Sequence, residues 1–91
     1  MTQSNVFLAL QTNDETRPII EAIARDNPHA VVNEQPAMVK IDAPGRLVVR
    51  RASVEELTGM PWDLQSLHVN LISLSGNLDE TEDELVLAWN R

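Results

Sequence analysis

The stretch from Met38 to Arg51, MVKIDAPGRLVVRR, places two short apolar runs on either side of residues 43–45, Ala-Pro-Gly. Val39 and Ile41 share one face of an extended chain, because successive side chains of a strand alternate between its two faces. Adjacent Pro and Gly are typical of a tight reversal. The stretch therefore predicts a β-hairpin. The predicted cross-strand pairs are Ile41 with Leu47, Val39 with Val49 and Asp42 with Arg46.

The residues before this stretch predict a strand followed by a helix. Asn5 to Gln11 is apolar on both faces, which is typical of an interior strand. Thr12 to Glu15 supplies capping oxygens and early carboxylates, and isoleucines then recur at helical spacing, so a helix should run from residue 14 or 16 to 26. Pro18 must lie in its first turn, since an interior proline costs about 3 kcal/mol. The remaining predicted features are a helix end at Asn27-Pro28, a strand from Ala30 to Asn33 and a break at Gln35-Pro36.

The residues after Arg51 predict a second helix and two further strands. Ser53 and Glu56 fit a capping box, and Gly59 fits the end of the helix that follows. Asp63 can cap a further single turn. The later predicted elements are a strand from Val69 to Ser75, a break at Gly76-Asn77, a mobile acidic loop from Asp79 to Glu84 that aids association with a partner, and a closing strand from Leu85 to Trp89.

This order, β-α-β-β-β-α-β-β, predicts an α+β fold in which two βαββ-like halves place antiparallel sheets against two main helices. A chain of 91 residues has room for one modest core. We therefore expect a single domain spanning residues 1–91.

Composition narrows the classes of function. The formal net charge of −7 argues against nucleic acid as a partner, because phosphate binding requires clustered Lys and Arg. The chain has no cysteine, which fits a reducing cytoplasm and leaves no disulfide or thiolate metal site. The first twelve residues, MTQSNVFLALQT, lack the basic region and long apolar run of a signal peptide or membrane span. We expect a soluble, unprocessed cytoplasmic protein.

The usual signatures of catalysis and cofactor binding are missing from the sequence. His29 and His68 have no partner at the spacing of metal ligands, and a triad of His68 with Asp63 and Ser66 has no support from spacing. The three glycines are isolated, so no phosphate-binding loop is present. The acidic run near residue 80 lacks the pattern of a calcium loop. We therefore expect no cofactor, no metal and no catalytic residue, and favour a protein that acts by binding another protein.

Four segments, in this order and spacing, carry a resemblance that covers nearly the whole chain. They are NVFLALQTNDETRPIIEAI, PAMVKIDAPGRLVVRR, the helix end Leu57-Thr58-Gly59 and LHVNLISLSGN. The chain resembles the regulatory (effector, or coupling) components of multicomponent phenol hydroxylases, and more broadly those of bacterial diiron monooxygenases. It lacks the long terminal extensions of the methane-oxidising members, so no role of those extensions is carried over.

The resemblance implies a cofactor-free, non-catalytic protein that binds the diiron hydroxylase component and supports coupled hydroxylation of an aromatic substrate. It also implies that one strand and the turn after it meet the hydroxylase. The predicted partner-binding residues are Ile72, Ser73, Leu74, Ser75 and Gly76. We expect Leu74 to be the exposed anchor, such that Leu74→Arg abolishes stimulation and leaves the fold intact.

Two other classes fit the sequence less well. A small-molecule-sensing module of ACT type has a similar element order, but the loop from Gln11 to Arg17 lacks the glycine that usually follows the first strand. A stand-alone enzyme would need a set of catalytic side chains, which this sequence does not contain. Phenol oxidation by hydroxylase and reductase, with and without this protein, separates the three hypotheses.

Overall fold

The computed structural model describes residues 5–89, which form seven strands and three helices. All strand pairs are antiparallel, and both sheets and all three helices contribute to one apolar core, so the predicted α+β class is confirmed. The elements are β1 (Asn5–Gln11), α1 (Thr16–Asp26), β2 (Val31–Gln35), β3 (Met38–Pro44), β4 (Arg46–Arg50), α2 (Arg51–Thr58), α3 (Gln65–Val69), β5 (Leu71–Ser75), β6 (Asn77–Glu80) and β7 (Glu84–Ala88).

The strands divide into a four-stranded sheet, β2-β3-β1-β5, and a three-stranded sheet, β4-β7-β6. The chain order follows two βαββ-like halves, but β5 leaves its own half and pairs with β1. Strand β1 lies between β3 and β5 and buries Val6, Leu8 and Leu10 completely. The prediction of an interior strand at Asn5–Gln11 is confirmed.

The predicted hairpin at Met38–Arg51 is wrong. Its two halves, β3 and β4, belong to different sheets, and Gly45 between them (φ 79°) connects the sheets instead of reversing the chain within one. Strand β3 already has β1 and β2 on its two sides, so no free edge is left for β4. The predicted pairs are replaced accordingly. Ile41 lies opposite Leu8 and Val32, Val39 opposite Leu10 and Glu34, Leu47 opposite Leu87, Val49 opposite Leu85, Asp42 opposite Phe7 and Val31, and Arg46 opposite Ala88.

The true hairpin turn lies at Pro36-Ala37, where the sequence predicts only a break. Gln35 pairs with Met38 across this turn, and Ala37 has a φ of 65°. Proline followed by a residue with positive φ is the pattern of a type II turn. Alanine rarely adopts positive φ, which explains why the sequence did not identify this turn.

Helix α1 forms as predicted, and its two ends are held by polar side chains. The Thr16 amide donates to Asn13 Oδ1 at 2.9 Å and the Asn13 amide donates to Thr16 Oγ1 at 3.0 Å, so the two residues cap each other. Pro18 is the third helical residue, within the first turn. At the other end, the buried Asn27 amide group donates to the carbonyl of Val48 and accepts from its N–H. Asn27 thus occupies part of the outer edge of β4.

The later elements depart from the predictions at three places. Helix α2 begins at Arg51, so Ser53 lies inside it and does not cap it, while Glu56 bonds Arg25 at 2.7 Å. Gly59 does end α2 with a φ of 73°, and Asp63 Oδ1 does accept from the Gln65 amide at 3.0 Å. The predicted strand from Val69 starts only at Leu71, and half of the predicted acidic loop (Asp79, Glu80 and Glu84) lies in the strands β6 and β7.

Two glycines connect the sheets at one corner. Gly45 joins β3 to β4, and Gly76 joins β5 to β6. Strand β1 starts between β3 and β5, and strand β7 ends between β4 and β6. The Trp89 indole N–H donates to the Asn5 carbonyl at 3.0 Å. The corner therefore ties the beginning of the first sheet to the end of the second. No helix within residues 5–89 has the length and apolar character needed to cross a membrane.

Candidate docking site on an open strand edge

The segment from Leu71 to Glu80 forms a long edge of the fold. Among residues 5–89, strand β5 is hydrogen-bonded only to β1, and β6, which continues it beyond Gly76, is hydrogen-bonded only to β7. We call this segment the β5–β6 edge. Because unpaired strand edges attract other proteins, such an edge is a candidate interaction site unless its side chains protect it.

The predicted partner-binding residues, Ile72 to Gly76, all lie on or next to β5. Ser73 and Ser75 lie opposite Ala9 and Phe7. Leu74 lies opposite the fully buried Leu8, is only partly exposed and packs against the core. Leu74 is therefore not the exposed apolar residue expected of this strand, whereas Ile72 is 48% exposed.

A β-bulge explains why Ile72 is exposed. Ala9 pairs with Ser73, but the next residue, Leu10, pairs with Leu71, so Ile72 is an extra residue on β5. Without the bulge, strict alternation would turn Ile72 toward the side of Leu74. With it, Leu71 packs against the core and Ile72 is free to face solvent. Bulges commonly redirect a side chain in this way near functional sites.

Two further apolar side chains near the β5–β6 edge are exposed and were not predicted. Val69, at the end of α3, is 75% exposed, and Leu78, on β6, is 43% exposed. The sequence predicts a strand at Val69 and no element at Leu78, and the predicted partner-binding set includes neither residue. Exposed apolar side chains grouped along one segment are typical of protein-binding surfaces, whereas isolated ones are common everywhere.

Carboxylates follow the apolar part of this edge. Glu80 Oε1 lies 2.8 Å from His68 Nε2, and Asp83 Oδ1 lies 2.7 Å from Arg51 Nη2. Thr81 Oγ1 accepts from the Asp83 and Glu84 amides, both at 3.2 Å, so the turn between β6 and β7 is hydrogen-bonded locally. Asp79 and Glu82 are exposed and form none of the ion pairs found within residues 5–89.

An open cavity of about 860 Å³ lies beside the acidic end of this edge. Trp62, which is partly buried, lines this cavity, and its backbone N–H donates to Glu55 Oε2 at 2.9 Å. Its walls carry more carboxylates than cations and no nucleophile paired with a base. The lining residues are Arg51, Glu55, Pro61, Trp62, Asp63, Leu64, Gln65, Glu80, Thr81 and Glu82.

The histidines do not form a catalytic or metal site. His68 contacts Glu80, while Asp63, its partner in the triad considered from the sequence, caps α3 instead. His29 Nε2 lies 3.3 Å from the Arg46 carbonyl. Within residues 5–89, no three His, Cys, Asp or Glu side chains are grouped as metal ligands.

Comparison with known proteins places this fold among regulatory proteins. The family model described as MmoB/DmpM matches residues 4–88. The stimulatory component DmpM of phenol 2-monooxygenase from Pseudomonas sp. (strain CF600) is 50% identical over 86 residues, which cover 94% of this chain and 96% of that protein.

Solved structures give the same result. A chain from a structure of a phenol hydroxylase–regulatory protein complex is 45% identical and superposes with a TM-score of 0.91 over 96% of this chain and 100% of that one. A chain from a second such complex is 42% identical, with a TM-score of 0.87 over 94% of this chain and 100% of that one. The regulatory protein B of soluble methane monooxygenase, 23% identical over 99% of this chain and 69% of that one, shares the fold with a TM-score of 0.74.

Proposed function

This chain belongs to the MmoB/DmpM family, and on that premise we propose that it is the regulatory component of a phenol monooxygenase. It binds the hydroxylase component and stimulates hydroxylation without carrying out the chemistry itself. The observation that carries this proposal is 50% identity over 96% of a stimulatory component of phenol 2-monooxygenase. The identity of 45% to a regulatory chain solved together with phenol hydroxylase supports the choice of partner. The ACT-type alternative is set aside, because the family match covers almost the whole chain.

The proposed division of labour rests on the resemblance to the effector components of diiron monooxygenases. The diiron centre belongs to the hydroxylase, and this protein supplies a surface that binds near that centre without contributing a metal ligand. We place the complex in the cytoplasm, in agreement with the cysteine-free sequence.

We place the hydroxylase on the β5–β6 edge, with Ile72 as its central apolar contact. Ile72 is exposed by a bulge on an edge strand, and the exposed side chains of Val69 and Leu78 precede and follow it along the chain. Ser73 and Ser75, beside Ile72, are small enough to allow close approach of a partner backbone. Burying an aliphatic side chain of this size contributes about 1 to 3 kcal/mol to binding.

Reconstitution tests the function directly. A phenol hydroxylase and its reductase should oxidise phenol slowly alone and several-fold faster when this protein is added up to the hydroxylase concentration. This protein with the reductase alone should give no product. If phenol oxidation by the complete mixture does not depend on this protein, the proposed function is wrong.

The exposed carboxylates at and just beyond the acidic end of the β5–β6 edge should speed association. Glu80 is excluded from this test because it bonds His68, and Glu84 because it lies within β7. Neutralising Asp79 and Glu82 together, by Asp79→Asn and Glu82→Gln, should lower the association rate about threefold at low salt. The difference should fade near 0.1 M salt, where screening acts over about 10 Å.

A matched pair controls for the change in net charge. Glu21 on α1 and Glu34 on β2 are also exposed and lie outside the β5–β6 edge. Glu21→Gln with Glu34→Gln should leave the association rate nearly unchanged. Stopped-flow measurements that show equal slowing by both pairs would mean that net charge, and not the position of the carboxylates, controls association.

A further inference from the structure

The side chain of Asn70 connects the start of β5 to the loop between β1 and α1. Asn70 is only 4% exposed, although it is polar and lies in a turn. Its Oδ1 accepts from Asn13 Nδ2 at 2.9 Å, and its Nδ2 donates to Glu15 Oε1 at 3.1 Å. Both donor and acceptor of the amide group are therefore satisfied by one loop.

The backbone N–H and the backbone carbonyl of Asn70 also form hydrogen bonds. Its N–H donates to the Leu67 carbonyl at 3.1 Å, which ends α3, and its carbonyl accepts from the Gln11 N–H at 2.9 Å, which continues the pairing of β1 and β5. The bulge at Ile72 begins two residues later. Asn70 thus holds the point at which the register of the edge strand is set.

We infer that Asn70 is a positioning residue for docking: it fixes the register of β5 and thereby the exposed position of Ile72, without contacting the hydroxylase itself. This inference rests on the proposed function for its consequence in binding. The physical reason is that a buried asparagine with two side-chain and two backbone hydrogen bonds favours one arrangement of its neighbours, since other arrangements leave its buried polar groups without partners.

Asn70→Asp tests the inference with almost no change in shape. The carboxylate still accepts from Asn13, but it cannot donate to Glu15 and faces that carboxylate at hydrogen-bond distance. We expect the dissociation constant for the hydroxylase to rise about tenfold. We also expect faster amide hydrogen exchange at Gln11, whose N–H donates to the Asn70 carbonyl.

The double variant Asn70→Asp with Glu15→Gln should restore both properties, because a glutamine amide donates to the new carboxylate. Glu15→Gln alone should change the dissociation constant less than twofold, since its oxygen still accepts from Asn70. Rescue would show that the loss arises from this one pair of side chains and not from a change elsewhere in the protein. This cycle isolates the contact between the two side chains.

Ile23→Val serves as a stability control, because it removes one buried methylene from α1 and leaves β5 untouched. It should lower the melting temperature without affecting hydroxylase binding at a temperature well below the transition. If Asn70→Asp binds as tightly as the parent protein, or if Glu15→Gln does not rescue it, the inference is overturned while the proposed function stands. If the parent protein itself does not bind hydroxylase, the proposed function fails, and the exchange measurement still tests the register.

Discussion

Ile72→Arg should abolish stimulation of the hydroxylase while leaving the isolated protein folded. Ile72 is 48% exposed on the bulge of β5, so an arginine there remains in water in the free protein. In the complex the same charge would be driven into an apolar contact without a partner, which is unfavourable. We expect a loss of at least about 2 kcal/mol in binding, or roughly 30-fold in the dissociation constant. Titration calorimetry measures the binding, and phenol turnover measures the stimulation.

Val31→Arg is the matched control for this variant. Val31 is 57% exposed and lies on β2, at the opposite edge of the same sheet. The substitution adds the same charge to an exposed, β-branched position, and we expect it to leave binding and turnover nearly unchanged. Melting temperatures of both variants should stay within a few degrees of the parent protein, since surface substitutions usually change stability by less than about 0.5 kcal/mol. Unchanged hydroxylase binding by Ile72→Arg would exclude β5 as the docking strand.

Leu74→Arg should behave differently from the expectation based on sequence. Leu74 packs against the core beside Leu8, so a charge there destabilises the fold as well as any complex. Circular dichroism melting of Ile72→Arg and Leu74→Arg distinguishes the residue that faces the core from the one that is expected to face the partner.

Among glycine-to-alanine substitutions, each of which adds one methyl group, Gly76→Ala should cause the largest loss of stability. Gly76 has a φ of 124°, a conformation that residues with a side chain rarely adopt. An added Cβ would lie 2.8 Å from Val6 Cγ1 and 3.3 Å from Val6 Cβ, and Val6 is fully buried. Backbone strain and overpacking each cost about 1 to 3 kcal/mol, so we expect a total of about 3 kcal/mol or more. The melting temperature should fall by at least about 12 °C.

Gly59→Ala separates backbone strain from crowding. Gly59 also has a positive φ, 73°, but an added Cβ there would meet no atom within 4 Å. We expect a loss of only about 1 kcal/mol, from the left-handed backbone alone. Chemical denaturation gives both free energies of unfolding. A similar loss for the two variants would show that crowding against Val6 does not add to the destabilisation caused by a side chain at Gly76.

The local elements of this fold could be predicted from the sequence. Alternation of apolar side chains identified β1, helical spacing and Pro18 located α1, and Gly59 marked the end of α2. These signals depend on interactions within a few residues of each other, which is why they can be read from one segment.

The partners of the strands could not be predicted in the same way. The residues of β3 and β4 satisfy a hairpin pattern equally well, yet β3 pairs with β1 and β2, and β4 pairs with β7. An apolar strand can pair with any other apolar strand of suitable length, and the choice depends on which edges are already occupied. The capping box at Ser53 failed for a related reason, because the Arg51 amide donates to the Asp83 carbonyl in the distant turn between β6 and β7, and α2 starts there.

By itself, the sequence determined the α+β class, the absence of cysteine chemistry, the family resemblance and the segment that contains the proposed docking residues. Only the tertiary structure decided which side chain of that segment is free. The alternating pattern cannot distinguish Ile72 from Leu74, because a bulge of one residue reverses which side chains face the core. That bulge arises from the pairing of β5 with β1, two strands that are about sixty residues apart in the chain. Exposure at Ile72 is therefore a property of the folded sheet and not of its local sequence.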